Sequence, residues 1–97
     1  MKVRFLSVAF RDMDAIEKYI AQDNPNAARK VIARIAQQID KLKTIPYLGR
    51  QGDAPGTRIL VVPRLPYVVI YEIIRDEILI LGIMHGARNW QNDPRFR

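Results

Sequence analysis

Apolar and polar residues recur along this chain with two different periods, and the change of period divides it. Residues 2–6 alternate, with Val3 and Phe5 set against Lys2 and Arg4, which predicts a short strand. From there Ala9, Met13, Ile16 and Ile20 recur at helical spacing, with Tyr19 beside them and Arg11, Asp14 and Lys18 on the opposite face. Ser7 is placed to cap this helix, and Asp12 and Asp14 to lie near its N-terminal end, where a carboxylate is favoured. Gln22-Asp23-Asn24-Pro25 then interrupts the repeat. Asn24 fits an N-cap, and Pro25 fits the first helical position, where its missing N–H costs nothing. A second helix is predicted to about Lys43, with a stripe of Ala28, Val31, Ile32, Ile35, Ile39 and Leu42. Its polar face holds Arg29, Lys30, Arg34, Lys41 and Lys43 against a single Asp40. Two amphipathic helices with so short a connection make an antiparallel αα-hairpin.

Residues 45–56 are rich in Gly and Pro and read as a loop, long for the size of the chain. Three β-rich runs follow, at 57–62, 67–74 and 78–85, separated by Arg64-Leu65-Pro66 and Arg75-Asp76-Glu77. Connections this short imply consecutive antiparallel hairpins. The segment from Gly86 onward is polar and is expected to be loop with some disorder, with about 91–97 as a tail. The order is β-α-α-β-β-β, an α+β fold with a helical hairpin packed on a three- to four-stranded antiparallel sheet. Tyr67-Val68-Val69-Ile70-Tyr71 and Ile78-Leu79-Ile80-Leu81 are continuously apolar, whereas a sheet covered on one face alternates. Either the second face is covered too, with a partner chain as the expected cover because the tail is so polar, or these residues simply suit strands.

Composition narrows the class. Ninety-seven residues make one domain, spanning 1–97. There is no cysteine, which excludes a disulfide framework, a thiol nucleophile and a thiolate zinc site, and suits a cytoplasmic protein. Lys2 and Arg4 before Phe5–Phe10 faintly imitate a signal peptide, but Arg11, Asp12 and Asp14 end the apolar run too soon for a leader or a membrane span. No membrane association is expected. Sixteen Lys and Arg against ten Asp and Glu leave a net charge of +6. The excess is uneven: residues 1–50 carry ten basic and five acidic groups, and residues 51–97 carry six and five. A basic surface suits a nucleic acid or an acidic protein.

The common enzyme signatures are missing: there is no P-loop, G-x-G-x-x-G, H-E-x-x-H or G-x-S-x-G. One histidine and carboxylates without ligand spacing give no metal site, and no cofactor is implied. The remaining candidates are basic and aromatic. Arg58 opens the first late strand, Arg64 sits in the turn after it, and His85, Arg88 and Trp90 leave the last strand. An antiparallel meander is expected to gather these ends. Arginine forks pair with phosphate, imidazole permits proton transfer near neutral pH, and indole stacks on a base or covers a small core.

Several strings change what these residues mean. Asn24-Pro25-x-Ala27-Ala28, Pro46-x-x-Gly49-Arg50-x-Gly52, Pro55-Gly56-Thr57-Arg58, Leu65-Pro66-Tyr67-Val68-Val69-x-Tyr71 and His85-Gly86-Ala87-Arg88-x-Trp90 occur in this order. Together they resemble the RelE/ParE toxin family, from about Phe5 to Trp90. The resemblance implies a toxin encoded beside a short antitoxin that wraps and neutralises it. The expected antitoxin contacts are Tyr67, Val69, Tyr71 and Ile80 on an open sheet face, with Arg34 on the helical hairpin. The family has two activities. RelE-like members cut mRNA on the ribosome and supply cations for the phosphorane charge. Counted back from Tyr71, their lysine positions fall on Ile59 and Val61 and an arginine position on Val68, all apolar here. ParE-like members instead bind and poison DNA gyrase, and are inhibitors rather than enzymes. That reading is favoured, with Arg58, Arg64, Arg88 and Trp90 as target contacts. The alternative is a ribosome-dependent mRNA interferase with His85 as acid or base and Arg58, Arg64 and Arg88 on the phosphate. A third possibility is a non-toxic member that only binds its antitoxin.

Overall fold

The computed structural model describes residues 1–96. β1 (Lys2–Phe5) leads directly into α1 (Ser7–Ala21), which is followed by α2 (Pro25–Lys41). A short β2 (Arg50–Gln51) precedes the meander of β3 (Thr57–Val61), β4 (Tyr67–Ile74) and β5 (Glu77–His85). Two single 3₁₀ turns, Trp90–Asn92 and Pro94–Phe96, end the described chain. The strands form one five-stranded sheet in the order β1-β5-β4-β3-β2.

The helix boundaries show which local signals carried. Asn24 caps α2 as its sequence predicts, with Oδ1 accepting the Ala27 N–H at 3.0 Å and Pro25 following. Helix α2 gives way at Lys41 rather than Lys43, where the next N–H groups turn to carbonyls three residues back. Ser7 does not cap α1. Leu6 holds that position, its N–H still donating to Ile80 O in the sheet at 3.0 Å, and a leucine side chain has no group with which to cap. Asp12 and Asp14 lie beyond the first turn of α1.

The sheet departs from the expected one in two ways. β1 pairs in parallel with β5, Lys2 opposite Glu77 through Phe5 opposite Ile80, so the sheet is mixed and not purely antiparallel. The fifth strand, β2, lies inside the long loop and pairs with β3 through Arg50–Ile59 and Gln51–Arg58.

Apolar residues separate by parity into two clusters. The larger lies between the helices and the sheet and contains Ala9, Ile35, Leu42, Val69, Tyr71 and Ile80, among others. The second lies on the other face and contains Ile59, Val68, Ile70, Leu81 and Met84, with Leu79, Trp90 and Phe96 packed against it. This explains the continuous apolar runs: successive residues enter opposite clusters. A bulge where Ile70 opposes Gly82 and Tyr71 opposes Ile80 leaves Leu81 as the extra residue. It keeps Ile83 in the first cluster and Met84 in the second. Trp90 and Phe96, from the segment after β5, pack on the second face, where the sequence reading expects a partner chain as the cover. Among the described residues no helix is long and apolar enough to cross a membrane.

Candidate functional site

The candidate residues gather mainly at the end of the sheet where β4 begins and β5 stops. Tyr67 lies opposite His85, and their rings meet edge to face at 5.8 Å. The turn after β5 is tied back to the β3–β4 turn by Gly86 N–H donating to Pro66 O at 2.7 Å. Between α1 and this end lies an open cleft of about 690 Å³, lined by Asp12, Ile16, Tyr19, Tyr67, His85 and Arg88, among others. Its lining is mainly apolar, and Arg88 is exposed. Burial, with a smaller contribution from the nearby Tyr19, pushes the Tyr67 hydroxyl above its ordinary pKa. His85 Nδ1 accepts the Ala87 N–H at 3.2 Å, which leaves Nε2 as the donor in the neutral ring. The arrangement offers the Arg88 cation, two phenol hydroxyls, an imidazole and the Asp12 carboxylate, itself paired with Arg95, in a mainly apolar lining. It suits binding an anionic or aromatic group.

Arg64 belongs to the same end of the sheet. It is exposed in the β3–β4 turn with a left-handed backbone, φ 66°. Arg58 does not join it. Arg58 opposes Tyr71, and His85 opposes Tyr67, four residues along β4 or about 13 Å. Its Nε donates to Gly49 O at 2.9 Å and its guanidinium lies 5.1 Å from the Tyr47 ring centroid. An antiparallel hairpin brings the start of β3 beside the end of β4, so Arg58 and Arg64 lie apart. Trp90 is half-buried on the second cluster, 5.6 Å from Phe96 in an edge-to-face pair. Among the described residues no three His, Asp or Glu side chains are grouped to hold a metal ion.

The expected antitoxin surface is redistributed. Val69, Tyr71 and Ile80 are fully buried beneath the helices, because their parity faces the hairpin. They are core residues and offer no surface. Tyr67 is half-buried at the cleft, and Arg34 is exposed on α2. Sequence reading missed Asp12 and Arg95 as a pair. Asp12 accepts the Ile83 N–H and binds the Arg95 guanidinium at 2.7 Å. The only signal was an acidic residue off the polar face of α1.

Residues 3–90 match the family described as ParE toxin of type II toxin–antitoxin system, parDE. The chain belongs to the ParE toxin family. A Sinorhizobium fredii protein named as a candidate toxin, Y4kP, is 40% identical over 89 residues, covering 92% of each chain. Toxin RelE2 of Caulobacter vibrioides is 36% identical over 80 residues, covering 82% of this chain and 89% of its own. The fold is similar to a chain of the chromosomal ParDE TA system from P. aeruginosa, with a TM-score of 0.79 and 30% identity over 88% of this chain and 95% of that one. It also resembles a chain of the toxin–antitoxin complex RelBE2 from Mycobacterium tuberculosis, with a TM-score of 0.56 at 22% identity, over 87% and 95% of the two chains; that likeness concerns the fold alone.

In this ParE-family chain the three positions where the resemblance places RelE-like cations have different fates. Ile59 is 3% exposed and Val68 8% exposed, and both lie in the cluster beneath Trp90 and Phe96. Val61 is 56% exposed, outside that cluster. The second sheet face is thus an apolar contact layer.

Proposed function

We propose that this ParE-family chain arrests growth by binding and poisoning DNA gyrase in the cytoplasm, and that a cognate antitoxin holds it inactive. The observation that carries the target is the burial of Ile59 and Val68 under the tail. A ribonuclease needs preorganised cations around the phosphorane. Here two of the three positions are packed core. Arg88 and Trp90, with Arg64 at the same end of the sheet, are the favoured gyrase contacts. The Arg58 side chain, on β3, is held against the preceding loop by Gly49 O and Tyr47 and contributes less. The antitoxin is supported by the family match to the ParE toxin of type II toxin–antitoxin systems and by the likeness to a chain of the P. aeruginosa ParDE TA system. Its expected contacts are Arg34 and the basic face of α2, which suit an acidic chain, and Tyr67 at the cleft.

Supercoiling by purified gyrase, assayed beside translation in a cell-free extract, tests this. Inhibited supercoiling with intact translation supports the proposal. Intact supercoiling with cleaved mRNA supports the second reading, an mRNA interferase. One observation favours that reading: Tyr67, His85 and Arg88 share a cleft. Expression without an antitoxin that leaves growth unaffected would instead indicate a member that only binds its antitoxin.

A further inference from the structure

β1 stops at Phe5, so beyond Ile80 the edge of β5 that faces away from β4 has no strand beside it among the described residues. Two side chains take the place of the missing strand. Asp12 Oδ2 accepts the Ile83 N–H at 3.0 Å, and Arg95 Nη1 donates to Leu81 O at 3.2 Å. The same Asp12 oxygen binds Arg95 Nη1 at 2.7 Å. Asp93 accepts the Arg95 backbone N–H at 3.0 Å and its Nε at 3.2 Å. The Arg95 and Asp12 side chains are 18% and 17% exposed, against 63% and 38% for the surface pair Arg4–Glu77. Burial by itself would lower the Arg95 pKa, but the hydrogen bonds and charges of Asp12 and Asp93 outweigh it and raise it.

Among the described residues, the backbone of this segment is otherwise tied only to its own neighbourhood. Asn92 N–H donates to Asn89 O, Asp93 N–H to Trp90 O and Phe96 N–H to Asp93 O. Among the described residues, the hydrogen bonds from Trp90–Phe96 to residues before Asn89 all come from the Arg95 guanidinium. The other attachment is apolar, the Trp90 and Phe96 rings on the second cluster. Gly82 gives the guanidinium its passage: a Cβ there would stand 2.7 Å from Arg95 Nη1 and 3.2 Å from Asp12 Oδ2.

We infer that Trp90–Phe96 is a latched strap, a built-in cover for the second sheet face that opens at the Asp12–Arg95 pair while the rest of the fold stays closed. Segments with few ties open at low cost relative to global unfolding. Opening exposes Ile59, Val68, Ile70, Leu81 and Met84 and frees Trp90. That the strap thereby regulates target contact by Arg88 and Trp90 rests on the gyrase reading; the strap itself does not.

Trp90 is the single tryptophan, so its fluorescence reports the strap directly. Acrylamide quenching is measured on the full chain, beside thermal melting by far-UV circular dichroism. Arg95→Ala removes the latch, and Gly82→Ala displaces it with both charges present. Each is expected to raise the quenching constant about threefold while the melting transition stays cooperative, as opening of one local unit requires. Hydrogen exchange at the Ile83 amide should accelerate in both variants. An unchanged quenching constant in both variants overturns the strap. So does a rise seen only together with loss of the cooperative melt, since the segment would then be part of the core. Neither readout involves gyrase, so a failed supercoiling assay leaves the strap standing.

Discussion

The Tyr71 hydroxyl accepts the Gly49 N–H at 2.9 Å and donates to Pro46 O at 2.7 Å, from a side chain that is fully buried. One phenol in the middle of β4 thus fastens the 45–52 loop to the core and sets up β2. Gly49 is constrained in return, since a Cβ there would lie 2.8 Å from both Ile59 O and Tyr71 Cε1. Tyr71→Phe should destabilise the fold by about 1–3 kcal/mol, because a buried N–H and a carbonyl lose their partner. Urea denaturation measures it, and exchange at the Gly49 amide should accelerate. Gly49→Ala should cost a comparable amount, since its methyl group meets backbone on one side and a packed ring on the other.

Asn24 satisfies one of the free N–H groups that begin α2. Asn24→Ala is expected to cost about 1 kcal/mol, and Asn24→Gly only a few tenths. Paired denaturation curves separate the side-chain cap from the backbone geometry that both variants keep.

Placing cations at the RelE-like positions should separate buried from exposed sites. Val68→Arg sets an unpaired charge beneath Trp90 and is expected to cost about 3 kcal/mol or more. Val61→Lys lies on the surface and should change stability by less than about 0.5 kcal/mol. Neither should confer cleavage of mRNA in a ribosome-containing extract. Cleavage gained by Val61→Lys alone would contradict the reading of the second face as a contact layer.

The gyrase proposal distinguishes neighbours at the end of β5. Arg88→Ala and Trp90→Ala are each expected to weaken inhibition of supercoiling about tenfold, the loss that truncating an interface arginine or tryptophan often brings. His85→Ala should stay within about threefold of the parent, because binding needs no proton transfer. Titration of each variant against a fixed amount of gyrase reads this. Abolished toxicity in His85→Ala, with an unaltered circular dichroism spectrum, would favour the interferase.

Short-range signals in the sequence determined most of the elements. The Asn24-Pro25 cap, the stripe from Ala28 to Leu42 and the hairpin breaks near Arg64 and Arg75 act over a few residues, and they recur in the fold. His85, Arg88 and Trp90 were legible because they follow the last strand directly. Arg58 does not join them, and the consecutive antiparallel hairpins already implied this, because they set the start of β3 at the opposite end of the sheet from the end of β5. The sequence could not say which parity of β4 faces the helices: Val69 and Tyr71 went under the hairpin, and Val68 and Ile70 went under the tail. The parallel β1–β5 pair, the β2 strand and the closure of the second face were settled only in three dimensions. Each depends on groups far apart in the chain, such as Tyr71 with Gly49 and Asp12 with Arg95. A polar tail reads as solvated until an apolar sheet face and a half-buried carboxylate are brought to it.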